Sequence, residues 1–364
     1  MIFENNKKAS LVLANGTVFE GKSFGAEGKV FGEVVFNTSV VGFQEILTDT
    51  GYCGQLIVQT FPLVGNYGVN KENVSTAKVT AAGYIVREHC EDPSNFRCEG
   101  TLDAYLKDNG TVGIYDIDTR KLTRILRENG TMNGCIVCGD FDKDAVLAEV
   151  KAYKAERAVP AVSVKEKQTT TAENGKYNVV AIDMGITNSV KNSLLKLGCN
   201  VTLMPYNATA DEIMAENPDG VIITNGAGDP AENTETIETV KALLTKNVPI
   251  YGINLGHLVL ALANGAKVEK LKYGHRGATQ PVRDLETSRV FIAGQNHGYA
   301  VAEDSVNDSI GKVSHVITSD NTVQGISYTN APAFGTQFAP EMTGNPHDTG
   351  YLFDRFIKMM EDRK

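Results

Sequence analysis

The sequence predicts an α/β chain in two parts: a β-rich N-terminal domain, then a domain whose mostly parallel sheet is flanked by helices. Three observations predict it. Residues 1–153 carry short β-type runs separated by turn residues. From Tyr177 onward, apolar strand-length runs alternate with helical periodicity, the pattern of βαβ units. Between them, residues 154–176 pass through Pro160, a Thr169-Thr170-Thr171 cluster and several charges with little periodicity, which reads as a linker. The expected boundaries are therefore 1–153, 154–176 and 177–364. A chain of 364 residues has room for two such domains.

Taken in order, Leu11 to Ala14, Asn15-Gly16 and Thr17 to Glu20 form a hairpin signal, with Asn-Gly suited to a type I′ turn. Glu33 to Phe36 is a second β segment, leading to a short apolar stretch that ends at Leu47. Asp118 starts a helix over Thr119 to Glu128, which Asn129-Gly130 closes. Arg120, Arg124 and Arg127 share one face of it, while Leu122, Ile125 and Leu126 make another. A solvated basic stripe is the simpler reading, and a docking surface for an acidic partner is the alternative. In the second domain, strands are expected at Asn178–Asp183, Asn200–Pro205, Gly220–Asn225 and Val248–Ile253. Helices are expected at Ser189–Leu197 and Thr234–Lys246, the latter turning Ile237, Val240 and Leu244 inward. After Gly265, short strands are expected near Arg289–Ala293, Thr322–Ile326 and Ala333–Phe338, then a last helix at Tyr351–Asp362.

Composition removes several classes of function. Against 35 Lys+Arg stand 44 Asp+Glu, so nucleic acid and membrane are not expected as partners, because both reward clustered positive charge. Six cysteines are too sparse for a disulfide scaffold of this size. Cys135 and Cys138 form a C-x-x-C, which is either redox-active, half of a zinc site, or packing. No second ligand pair follows, and Gly134 to Gly139 reads as a buried strand, so packing is expected. No apolar run approaches the roughly 20 residues of a membrane span, and Met1 to Lys8 is polar. A cytoplasmic location is expected.

Chemistry in an open parallel sheet gathers at the carboxyl ends of its strands. After Val221 to Thr224 comes Asn225-Gly226-Ala227-Gly228-Asp229-Pro230, whose glycines let main-chain N–H groups face a pocket and hold an oxyanion. After Ile250-Tyr251 comes Gly252-Ile253-Asn254-Leu255-Gly256, then a helix from His257 to Ala263. Strand, G-x-nucleophile-x-G and helix is the elbow arrangement that presents its central side chain on a sharp turn. Here the apex is Asn254. An amide is not a nucleophile, whereas a serine or cysteine would be.

Gly252-Ile253-Asn254-Leu255-Gly256-His257-Leu258 resembles the G-I-C-L-G-H-Q elbow of class I glutamine amidotransferases with the cysteine replaced. Gln295-Asn296-His297-Gly298-Tyr299 and Gln337-Phe338-Ala339-Pro340-Glu341 resemble the Q-N-H-[GS]-[FY] and Q-F-H-P-E segments of that family. In the N-terminal half, Phe36 to Asp49, Gly65-Asn66-Tyr67-Gly68, Ser94 to Arg97 and Asp116 to Arg120 are similar to the small subunit of carbamoyl phosphate synthetase. That resemblance covers nearly the whole chain. It implies a glutamine amidotransferase-like second domain and a subunit that hydrolyses glutamine through a Cys–His–Glu triad. It also implies passage of ammonia to a large, ATP-using subunit, with much of the docking made by the N-terminal domain. Carried over by position, the nucleophile slot is Asn254, the base slot Ala339 and the orienting carboxylate Glu341. The oxyanion turn is Gly226 and Gly228. By resemblance, glutamine would also touch Ser39, Leu255, Leu258, Asn296, Gly298 and Tyr299.

The departures fall where the chemistry should be. Cysteine is Asn254, histidine is Ala339, a substrate-binding glutamine is Leu258, a turn proline is Ala227 and a lysine is Thr187. Cys199 is the only cysteine after residue 177, at a helix-to-strand junction away from the elbow. His257, His275, His297 and His347 stand where the family has histidines other than the base, and are read as structural. In a serine triad, loss of nucleophile or base alone costs on the order of a million-fold, or about 8 kcal/mol of transition-state stabilisation. The expectation is a glutaminase-deficient small subunit that docks on a large synthetase subunit and supports synthesis from free ammonia. It would bind glutamine weakly at most and carry no cofactor of its own, ATP and magnesium belonging to the large subunit. An active glutamine-hydrolysing subunit and a free-standing regulatory or amino-acid-binding module are the alternatives.

Overall fold

The computed structural model describes residues 7–340 and 348–363. It divides between Glu156 and Arg157 into two compact units. In the first, seven strands close into a barrel in the order Lys8–Leu13, Val18–Gly25, Val112–Tyr115, Gly83–Ile85, Gln55–Gln59, Lys29–Asn37 and Met132–Cys138. Closure leaves this sheet without a free edge. The N-terminal hairpin pairs Leu11 with Phe19 and Val12 with Val18. Its turn differs from the expected type I′. Of Asn15 and Gly16 only Gly16 has a positive φ, 86°, and Leu13 N–H bonds the Thr17 carbonyl at 2.9 Å. Ala14, Asn15 and Gly16 therefore make a longer connection with a left-handed glycine at its end.

The helix Thr119–Asn129 starts where expected, with the Asp118 carboxylate accepting from Lys121 N–H at 2.8 Å. Leu122 and Leu126 are buried, and Arg120, Arg124 and Arg127 are exposed. Cys135 lies fully buried in the strand Met132–Cys138, beside Val146 and Val150 of the helix Lys143–Ala152. No metal-ligand cluster exists among the described residues.

The second unit is built on a ten-stranded sheet. Five strands are linked by parallel pairing: Cys199–Pro205, Tyr177–Asp183, Gly220–Ile223, Ile250–Ile253 and Ala333–Thr336. Antiparallel strands extend it on both sides. Apolar side chains alternate between its faces, so each face acquires its own core. Val180, Ile182, Val221, Ile223 and Ile250 pack against the helices Ala210–Ala215, Thr234–Leu244 and Leu255–Ala263. Val179, Ala181, Ile222, Tyr251 and Phe334 pack against Asn188–Lys196 and Tyr351–Glu361.

Part of the expected linker belongs to this unit. Val159 is buried in its core, and Gln168–Thr170 pairs antiparallel with Cys199–Pro205. In Thr234–Leu244 the buried apolar residues are Val240 and Leu243, while Ile237 and Leu244 sit at the margin. The short strand expected at Arg289–Ala293 is one end of a long hairpin, Val268–Asp284 against Val290–Val301, with two register shifts. Those shifts break the alternation by which a strand is recognised in sequence.

No described helix is long and apolar enough to cross a membrane. Phe356 is fully buried against Tyr251, with ring centroids 6.1 Å apart. Phe356→Ala should destabilise the second unit by about 3–5 kcal/mol, read as a lower urea midpoint. A midpoint unchanged from wild type would contradict this packing.

Candidate functional site

Parallel register sets the site. Ile223 is opposite Gly252 and Ile253 is opposite Thr336, so three neighbouring strands end together. Their exits are the turn Thr224 to Gly228, the apex Asn254 and the segment that starts at Gln337. The motif expected to hold an oxyanion thus flanks the elbow on one side, and the segment containing the base slot flanks it on the other.

The elbow is sterically tight. A Cβ on Gly256 would lie 2.1 Å from the Ile223 carbonyl oxygen, and one on Gly252 would lie 2.7 Å from that of Gly256. Only glycine lets helix Leu255–Ala263 start this close to the sheet. Gly226 is similarly pressed, 2.3 Å from the Met184 oxygen by the same measure. Asn254 itself has φ 54° and ψ −109°, outside the well-populated regions for a residue with a side chain.

The apex side chain is engaged. Asn254 Nδ2 donates to the carbonyls of Asn296 and Gln337, both at 3.0 Å, and the residue is 8% exposed. Asn296 lies on the strand Val290–Val301, opposite Arg276. Gly298 and Tyr299 follow it on that strand, with Tyr299 packed against the apolar core. Leu255 and Leu258 are buried in that core, their side chains part of its packing. Ala339 forms a bridge with Gly294, its N–H bonding the Gly294 carbonyl at 3.1 Å. Asn254 is therefore bonded directly to Asn296 and to Gln337, the latter on the segment that leads to Ala339. Glu341 and His347 lie outside the described residues. Ser39 belongs to the first unit, where it is buried and its carbonyl accepts from Gln59 Nε2.

One organising residue escaped sequence reading. Asp183, ending its strand, accepts from Val164, Gly185 and Ile186 N–H at 2.7, 2.9 and 2.8 Å. It fixes the loop that carries Met184 under Gly226. Burial raises its carboxyl above the usual range. An aspartate two residues before a glycine at a strand end is the available signal.

Residues 11–136 match the family described as carbamoyl-phosphate synthase small chain, CPSase domain, and residues 180–359 match glutamine amidotransferase class-I. The chain is 45% identical to a carbamoyl phosphate synthase small chain of Fusobacterium nucleatum, over 97% of this chain and 98% of that one. It is 46% identical to the one from Clostridium perfringens, over 96% and 99%. To the carbamoyl phosphate synthase pyrimidine-specific small chain of Bacillus subtilis it is 43% identical, over 97% and 96%. The chain belongs to the carbamoyl phosphate synthase small chain family.

In this member of the family, burial holds the Cys199 thiol and the imidazoles of His257, His297 and His315 in their neutral forms. Cys199 is buried at the amino end of its strand, opposite the elbow end, and burial pushes its thiol up to about 12. Burial pulls His257 down to about 3 and His315 to about 4. It takes His297 well below the ordinary value, and the Nδ1 of that ring is 2.8 Å from the Tyr299 carbonyl. These rings are neutral at pH 7.

Two outcomes follow from this geometry. Alanine for glycine inside a helix ordinarily stabilises by about 1 kcal/mol. Gly256→Ala should instead destabilise by about 1–3 kcal/mol, because its Cβ meets a main-chain oxygen. A higher urea midpoint for the variant would refute the tight elbow. The second concerns acid. The folded pKa of His257, about 3, lies below the unfolded value of about 6.5, so the unfolded chain binds more protons below that pH. Stability should therefore be complete above pH 7 and decline as pH falls through about 6.5 toward 3. Equal urea midpoints at pH 7.5 and 5.5 would show that these imidazoles are not buried neutral.

Proposed function

We propose that this chain serves as a carbamoyl phosphate synthase small chain that does not hydrolyse glutamine, and that it partners a large chain which uses free ammonia. The observation that carries the reading is the apex itself. Asn254 presents a carboxamide whose nitrogen is engaged by two main-chain carbonyls, 3.0 Å each. Amide nitrogen is delocalised into its carbonyl and has no lone pair to offer a substrate carbon. At the base slot Ala339 has no titratable atom, so neither activation of a nucleophile nor protonation of departing ammonia has an agent there. The neutral, buried histidines supply no replacement, and Cys199 stands at the wrong end of the sheet. Oxyanion donors at Gly226 and Gly228, and a glutamine contact among Asn296, Gly298 and Tyr299, remain part of this proposal as a vestigial pocket. ATP and magnesium are assigned to the large chain.

Glutamine hydrolysis by this chain is the second reading, and kinship favours it: relatives 43–46% identical over nearly the full length are carbamoyl phosphate synthase small chains. One experiment separates the two. The chain is assembled with the large chain of the same organism, and carbamoyl phosphate is measured with glutamine or with ammonium chloride as nitrogen source. The expected result is synthesis from ammonium and none above background from glutamine. Asn254→Cys alone should stay inactive on glutamine, while Asn254→Cys with Ala339→His should recover activity far beyond the sum of the single changes, because triad members act as a unit. Glutamine-dependent synthesis by the unaltered chain would overturn the proposal.

A further inference from the structure

Asn254 is a residue whose side chain could have done something simpler. Asparagine at the first position before a helix usually caps it, its Oδ1 accepting from N–H groups of the first turn. Here no side-chain cap bond is made to helix Leu255–Ala263. The carboxamide is instead directed sideways, to two separate segments. Its nitrogen has two hydrogens and meets two carbonyls, Asn296 O on the strand Val290–Val301 and Gln337 O beyond the strand Ala333–Thr336.

The main chain of the same residue is tied as well. Asn254 N–H bonds the Thr336 carbonyl at 2.8 Å, and its own carbonyl accepts from His257 and Leu258 N–H at 3.0 and 3.3 Å. A backbone at φ 54° and ψ −109° persists only when its surroundings over-determine it. In a family site the side chain at this position would be free to react. In this chain it contributes to the over-determination.

We propose that Asn254 is the clamp of the elbow: its carboxamide locks the strained apex to Asn296 and Gln337, and so fixes the strand and the segment that flank it. The nucleophile slot has become a positioning residue. A cysteine has one weak S–H donor and a serine one O–H, so neither replaces both bonds. An alanine replaces none. The inference concerns how the site is held and stands whether or not any glutamine turnover remains.

Two measurements test it on the full chain. In the unaltered protein, both Asn254 Nδ2 protons should be shielded, exchanging at least a hundredfold more slowly than a free carboxamide in side-chain amide NMR. Asn254→Asp keeps the shape, removes both donors and sets oxygen against oxygen. It should lower Tm by roughly 5 °C or more, and Asn254→Cys should lower it too. Exchange of both protons at the free rate, or an aspartate variant within about 1 °C of wild type, overturns the clamp. The exchange measurement needs no variant, so it decides the matter even where Asn254→Asp fails to fold. Failure here would be visible as unprotected protons or an unmoved Tm, whereas failure of the ammonia-only reading would be visible as glutamine-dependent synthesis.

Discussion

The in-register ending of three parallel strands is the constraint on which the site depends. Gly220–Ile223, Ile250–Ile253 and Ala333–Thr336 are paired so that Ile223, Gly252 and Gly335 form one row. Whatever follows each strand is thereby delivered to one edge of the sheet. A one-residue slip in any pair would turn its side chains to the opposite face and bury the turn residues in the wrong core. That slip is resisted on both faces at once, since apolar residues from each strand fill two separate cores. The placement of the site is therefore a consequence of core packing, to which the Asn254 carboxamide adds two bonds at the apex.

The glycines follow from the same constraint. Gly252 and Gly256 are required because helix and sheet approach within the radius of a methyl group. Their role is steric, and a chain that retains this core retains them. The apex and base slots are under no comparable steric demand, because their family roles are chemical. This difference explains how a complete strand–glycine–turn–glycine–helix frame coexists with Asn254 and Ala339. The frame reports the fold, and the two slots report the reaction.

Much of this was legible in the sequence because it is local. Apolar runs of strand length followed by Gly-rich turns placed the parallel strands, and Asp118 and Gly130 bounded their helix within a residue. What was not legible depends on distant pairing. Barrel closure joins Lys8–Leu13 to Met132–Cys138, and no local pattern announces it. The long hairpin Val268–Val301 was reduced to a fragment because register shifts interrupt its period. For the same reason the apex was readable as an amide but its engagement was not. Its two acceptors are main-chain oxygens 42 and 83 residues away, and a carbonyl has no signature in sequence.

Kinship and chemistry weigh residues differently, and the elbow is where they part. An identity of 45% over nearly the whole chain averages across cores, turns and surfaces, and it speaks to fold and family. Catalysis by a triad is set by two or three side chains, and removing the nucleophile or the base alone from a well-formed site costs on the order of a million-fold. A substitution at such a position is invisible in the average, and the proposed function rests on its weight in the rate. The substitution is also not a neutral deletion. An alanine at the apex would make neither of the bonds to the Asn296 and Gln337 carbonyls, whereas asparagine makes both. A buried hydrogen bond contributes about 0.5–1.5 kcal/mol net, so a carboxamide that meets two acceptors helps hold a strained turn. On the proposed reading, the residue that best satisfies the surrounding main chain at this position is a double donor of short reach, and asparagine is the side chain that meets that description.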